Sequence, residues 1–305
     1  MEAKKTIGES LNRFGRVSRT SNRIFTVGLG LLTFFTAVPF ILVTVISFSD
    51  SQSIAKNGYR LLPEKWSLEA YRSIFEEGAI FKAFGTTLFI TIIGTIIGVF
   101  LMSTFAYTLS RKTYKYRNFL SRYSLIPMLF SGGIIGNYIV VVNILGLRNS
   151  VWALILPLCM STFSIMVLKT FYQMSVPEAL IESAYIDGAS EWLIYFKVVL
   201  PLSLPGIATI ALFLTLGYWN DWFSALLYTD TNDLVPLQYL LMKMETNIEF
   251  LANNASRMGM TETGTLPTET IKMAVVVVAT LPILIAYPFF QRYFIGGLTV
   301  GAVKE

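Results

Sequence analysis

From residue 24 to residue 48 the chain contains no charged side chain, and the pattern recurs. Comparable runs lie at 83–109, 123–147, 151–168, 202–229 and 273–291, and the one charged residue within all six is Asp221. A helix rises about 1.5 Å per residue, so about 20 apolar residues cross a hydrocarbon core about 30 Å thick. In that medium the backbone has to satisfy its own N–H and C=O groups, as a helix does. The runs therefore imply an all-α polytopic membrane protein with six transmembrane helices. The rest of the composition agrees: 54% of the 305 residues are hydrophobic and 14% charged, against about a quarter charged in a soluble domain. Six prolines (Pro39, Pro127, Pro157, Pro205, Pro282 and Pro288) fall inside the runs. Membrane helices tolerate them where neighbouring helices satisfy the freed carbonyls.

Basic residues orient the spans. Lys4, Lys5, Arg13, Arg16, Arg19 and Arg23 precede the first, and Arg111, Lys112, Lys115, Arg117 and Arg122 lie between the second and third. An even number of crossings separates these clusters, and the positive-inside rule makes their side cytoplasmic. The N-terminus (1–23), the loop 173–201 and the tail 296–305 are then cytoplasmic, around a single membrane domain, 24–295. The loops 49–82 and 230–272 face outward. The first span is too long for a signal-peptide core, so it reads as a retained helix.

Several classes of chemistry are missing. The chain has no histidine, the commonest metal ligand and general base. Its single cysteine, Cys159, allows neither an internal disulfide nor a thiolate zinc site and reads as a small core residue. There is no G-x-x-x-x-G-K-[ST] phosphate loop, and no pair of carboxylates within the spans for a membrane enzyme. An ion-coupled secondary transporter is disfavoured by the same scarcity of embedded acids. Asp221, near the outward end of its span, reads as a structural or partner-contacting acid. Gly132, Gly133 and Gly136 permit close helix approach or local unwinding.

One polar stretch interrupts the apolar pattern: "ESAYIDGASEWLIYFKVVLP", residues 182–201. Ser175 and Glu178 have capping-box spacing with Pro177 between them, which predicts a helix beginning near Val176. Gly188 predicts its stop. A second helix follows from about Ser190 to Val199, and Pro201 and Pro205 bend the chain into the fifth span. Acidic residues surround small ones, so another protein's surface can come close.

This segment resembles the EAA loop of permease subunits of ATP-binding-cassette importers. Glu182-Ser183-Ala184, Gly188, Val198 and Leu200-Pro201 fall at the family's spacing, with Ser183 for alanine and Val198 for isoleucine. Asp187-Gly188-Ala189 is similar to the carbohydrate-uptake branch. So are Trp66-Ser67-Leu68-Glu69-Ala70-Tyr71, "YWNDWFSALLY" (218–228) with Pro236-Leu237-Gln238, and "QRYFIGGLTVGAVKE" (291–305), where Glu305 replaces a final glycine. "MLFSGGIIGNYIVV" (128–141) is similar to a subgroup that handles oligosaccharides and polysaccharide fragments, with Gly136 where that subgroup usually has proline.

The resemblance implies a type I importer permease fold in a bacterial cell membrane. It implies a second homologous permease, two cytoplasmic ATPase subunits that carry the ATP and magnesium, and an extracellular or periplasmic sugar-binding protein. It implies no cofactor on this chain and no nucleic-acid partner. Glu182, Ser183, Ala184, Asp187, Gly188 and Ala189 would form the ATPase-coupling surface, with Glu182 the polar contact and Gly188 the corner. Sugars need flat aromatic faces and hydrogen-bonding side chains. The in-membrane candidates are Asn137, Tyr138 and Asn143 in the third span, and Tyr218, Trp219, Asn220 and Trp222 in the fifth. Trp219 and Trp222 are three apart and could share a helical face. Interface anchoring and helix-to-helix bonding are the alternative roles for these residues.

Overall fold

The computed structural model describes residues 19–76, 78–231, 234–254 and 268–302, and all statements of structure concern these. Lys4, Lys5, Arg13 and Arg16, residues 255–267 of the outward loop, and residues 303–305 lie outside them. Helices joined by turns and irregular links make up the described residues, with one isolated antiparallel bridge among them, Ser49 with Trp66. By length and composition three helices can cross a membrane, or up to six if each bent pair counts as one span. The chain divides into two compact units, Met1–Tyr71 with Glu262–Val277 and Arg72–Thr261 with Val278–Glu305.

The first unit contains α1 (Arg19–Ser47) and α2 (Ser51–Asn57). α1 takes in Arg19 and Arg23, so helix extends into the segment read from sequence as a tail. Its apolar side chains are mostly exposed, Phe35 at 70%. Its threonines turn inward on the helix itself: Thr26, Thr33 and Thr44 each donate to the carbonyl four residues back, at 2.8 Å. That satisfies the hydroxyls without any neighbour, as an apolar environment requires. Asp50 caps α2 by accepting from Ser53 N at 3.0 Å. The α2 end is then tied down by Asn57 and Arg60, which both donate to Glu64.

The second unit is built around α4 (Ala79–Ser110), which follows the short α3 (Glu69–Phe75). Next come α5 (Arg117–Leu129), α6 (Gly133–Tyr138) with a π-helical continuation Ile139–Ile144, and α7 (Val151–Ile155) with a 3-10 turn. α8 (Thr162–Ser175) leads to α9 (Glu178–Ile186). α10 (Glu191–Ile194), a π turn Tyr195–Val199 and α11 (Leu200–Leu202) form one rod that breaks before α12 (Leu204–Trp219). α13 (Phe223–Tyr228) and α14 (Leu237–Asn254) follow, and α15 (Thr268–Ala302) closes the described chain. α15 stays helical to Ala302, past the 296 boundary read from sequence.

α4 packs most extensively on α12 and α8. It does so through glycines one turn apart. A Cβ on Gly94 would come within 2.5 Å of the Tyr218 ring, and one on Gly98 within 2.5 Å of Leu214 and 2.9 Å of the Cys159 carbonyl. Small residues four apart let helices approach closely in a membrane, where dispersion replaces the hydrophobic effect as the driving force. Thr95 and Thr215 add a hydroxyl contact of 3.2 Å across the same seam. Cys159 is a buried core residue here.

Three of the apolar runs are bent rather than straight, by 117° between α5 and α6, 49° between α7 and α8, and 83° between α11 and α12. The first bend follows from Pro127 and from Gly133 at φ +69°, a region that disfavours side chains. Gly133 thus serves the break; added Cβ atoms at Gly132, Gly133 and Gly136 would meet nothing within 4 Å, so no close helix approach uses them among the described residues. The last bend falls at Ser203, between Pro201 and Pro205, as the prolines predict.

Candidate functional site

The polar stretch forms an exposed corner. α8 ends at Ser175, and Val176 is extended, with φ −111° and ψ 105°. A residue before proline is pushed out of the helical region, so no helix can start at Val176. The capping box expected from Ser175 and Glu178 consequently does not form. Pro177 occupies the cap position without a side-chain bond, and the helix starts at Glu178. Glu178 pairs instead with Lys112, beyond the end of α4.

At the other end α9 closes as Gly188 predicts. Gly188 has φ +78°. Its N–H donates to the Tyr185 carbonyl at 3.0 Å, and Ala189 N–H donates to Ala184 at 2.9 Å. This is the pairing of a Schellman stop. Ser190 then caps α10, accepting from Leu193 N at 3.4 Å. Glu182, Ser183, Asp187 and Gly188 are exposed, whereas Ala184 and Ala189 turn inward against the apolar cluster around Met102, Leu168, Ile181 and Ile194. Ser183 bonds its own helix, donating to Ala179 O at 2.8 Å. Beside the acids stands Ile186, 87% exposed. Sequence reasoning passed over it because an apolar residue in an apolar chain carries no signal; its place immediately before a predicted helix stop was the available clue.

A second feature was also missed. Glu191, the first residue of α10, accepts from the hydroxyls of both Tyr107 on α4 and Tyr185 on α9. Arg111, counted from the sequence only as a positive charge, is buried beside them, with its guanidinium carbon 5.9 Å from the Tyr107 ring and 5.6 Å from the Tyr185 ring. Burial, and next its bond to the Glu191 carboxylate, push the Tyr185 hydroxyl above its ordinary pKa, so it remains a donor at neutral pH.

The candidates for a translocation path separate into two groups. Tyr218 and Trp219 are 2% and 6% exposed. The Tyr218 hydroxyl donates to Ile155 O at 2.7 Å, and Trp219 Nε1 donates to Ala279 O on α15 at 3.1 Å. Both side chains are thus bound to neighbouring helices. Asn137, Asn143, Asn220 and Trp222 are exposed, and Tyr138 is half-buried, stacked on Tyr228 with centroids 6.2 Å apart. α12 ends at Trp219, so Trp219 and Trp222 do not share a helical face. The break is local: Asp221, between the two helices, accepts from Ser224 N in the first turn of α13 at 3.1 Å and so helps to close that end. The structural role foreseen for Asp221 is this bond. The ends of the third and fifth segments also meet, through Arg148 with Asp230 at 2.7 Å and Asp230 N–H with Asn149 Oδ1 at 2.7 Å.

Apolar, partly broken helices of spanning length, with one exposed helix stopped by a glycine, are the pattern of a helical membrane protein. Residues 104–299 match the binding-protein-dependent transport system inner membrane components, and the chain belongs to that family. It is 43% identical over 288 residues to the polygalacturonan/rhamnogalacturonan transport system permease protein YtcP of Bacillus subtilis, covering 93% of this chain and 99% of that protein. Protein LplC of the same organism is 39% identical, over 95% of this chain and 96% of its own. Among solved structures the fold is similar to that of a bacterial ABC transporter involved in the import of the acidic polysaccharide alginate. The TM-score is 0.77 at 25% identity, over 92% of this chain and 99% of that one.

Proposed function

We propose that this chain is one of two permease subunits of an ATP-driven oligosaccharide importer of the bacterial cell membrane. It crosses the membrane six times with both termini cytoplasmic and forms half of the translocation path. The observation that carries the reading is α9: a short, exposed, acid-bearing helix with a glycine corner, in a chain of this family and with saccharide-transport relatives. Glu182, Ser183, Ala184, Asp187, Gly188 and Ala189 form the docking surface for a cytoplasmic ATPase, with Ile186 as its apolar anchor. Two ATPases hold ATP and magnesium, and their closure drives the permease pair between inward- and outward-facing packings. The outward loop 230–272 touches the sugar-binding protein. Asn137, Asn143, Asn220 and Trp222 face the path, while Tyr138, Tyr218 and Trp219 hold its wall in place.

The test is reconstitution with the second permease, the ATPases and the binding protein in proteoliposomes. Uptake of a panel of neutral and uronic-acid oligosaccharides should require ATP and binding protein and should persist when proton and sodium gradients are collapsed. Uptake driven by an ion gradient without ATP would overturn the reading in favour of a secondary transporter.

A further inference from the structure

Consecutive residues at the end of α4 hold both ends of α9. Lys112 pairs with Glu178, the first residue of that helix. Arg111 lies over the ring of Tyr185, the residue before its last, and its Nε is 3.9 Å from Glu191 Oε1. The two carboxylate oxygens of Glu191 take different partners: Oε1 accepts from Tyr185 on α9, and Oε2 from Tyr107 on α4. One side chain on α10 therefore joins the exposed helix to the long helix of the bundle. A parallel route supports it. The Tyr195 ring lies 5.4 Å from the Tyr107 ring, and its hydroxyl is 2.6 Å from that of Ser103, one turn further along α4.

We propose that Glu191 is a positioning residue for transport, the point at which movement of α9 is passed to α4. The inference rests on the docking role proposed for α9. The physical argument concerns stiffness. α9 is a nine-residue rod, and a rod pinned at one end would pivot when pushed. The Glu191 carboxylate ties one end of α9 to α4, and the exposed Lys112–Glu178 pair adds a weaker tether at the other, so a push on α9 is shared with the end of α4. Bonds to an ionised acceptor are the strong class, and Arg111, 8% exposed, adds a cation 3.9 Å from the half-exposed Glu191 carboxylate. Without the Glu191 carboxylate, α9 can still seat on its ATPase, but its tilt is no longer relayed into the membrane.

The readout is the amount of sugar moved per ATP hydrolysed, measured on the complete importer in proteoliposomes, with co-purification of the ATPases measured alongside. Glu191→Ala should lower that ratio about five-fold while the ATPases remain bound. Glu191→Gln, which keeps an acceptor oxygen, should recover part of the loss. Tyr107→Phe combined with Tyr185→Phe removes only two hydroxyls and should lower the ratio in the same direction. Adding Glu191→Ala to that pair should give no further loss, because all three act through one node. A ratio unchanged in the double phenylalanine variant, or an equal fall of ATP hydrolysis and transport in every variant, would overturn the proposal. Loss of the ATPases on purification of Gly188→Val but not of the Glu191 variants separates docking from relay. Retention of the ATPases by both classes of variant would count against the docking role itself.

Discussion

The ring of Tyr218 lies against the Cα of Gly94, so close that a Cβ on that glycine would come within 2.5 Å of it. The Tyr218 hydroxyl is spoken for as well, by the Ile155 carbonyl. α4, α7 and α12 are thus locked by a flat ring set into the notch left by a missing side chain. Gly94→Ala should cost about 1–3 kcal/mol through overpacking. The importer in detergent should unfold at lower temperature and fewer copies should reach the membrane. Gly217→Ala, whose Cβ meets nothing within 4 Å, is the matched control and should change neither quantity.

Gly188→Val places a β-branched residue at φ +78°. The left-handed region costs an L-residue about 1–2 kcal/mol, more for a branched one, so the corner should open. Co-purification with the ATPases and sugar uptake should both fall, while the amount of permease in the membrane stays near wild type. Normal uptake by this variant would remove the docking role of the corner.

Ile186 is an exposed apolar tip beside acidic side chains, the composition of a hot spot ringed by polar contacts. Ile186→Asp should weaken ATPase association by about 1.4–2.8 kcal/mol, or roughly ten- to hundred-fold in affinity. Ile186→Ala, which trims the tip without adding a charge, should weaken it less. Titration of the ATPase onto the permease pair in nanodiscs measures both.

The two tryptophans of the fifth segment should part company. Trp219→Ala leaves the Ala279 carbonyl without its donor and a void beside Phe84, so protein abundance should fall and every substrate should lose equally. Trp222 is exposed, so Trp222→Ala should leave abundance intact. If its ring stacks on passing sugar at about 1 kcal/mol, uptake of long oligosaccharides should drop several-fold more than that of short ones. Uptake normalised to permease in the membrane decides it.

The helices and the corner could be read from the sequence because their causes are local. Uncharged length predicts spans, and Gly188 predicts a left-handed stop. The capping box at Ser175 does not form for an equally local reason: Pro177 drives Val176 out of the helical region. The Glu191 node could not have been found this way. Tyr107 and Glu191 are 84 residues apart, and nothing about a tyrosine near the end of an apolar run says which carboxylate it will meet. Gly94 and Gly98 stood in plain view as a G-x-x-x-G pair, but only Tyr218 and Leu214 on α12 give the notch its occupants.

The inward-bonded threonines of α1 bear on biogenesis. With Thr26, Thr33, Thr36 and Thr44 answered by carbonyls of their own helix, the apolar length of α1 brings little unmet polar demand into the bilayer, so α1 can leave the insertion machinery and stand in lipid as soon as it is made. The segments bent by 117° and 83° lack that independence, because their prolines donate no N–H to the preceding turn and neighbouring helices take up the freed carbonyls. Synthesis thus delivers the self-sufficient helix first, and the later segments have to be retained beside one another until their breaks are covered. Stalled chains truncated after α1 should be found fully integrated, whereas those truncated after α6 should still cross-link to the insertase.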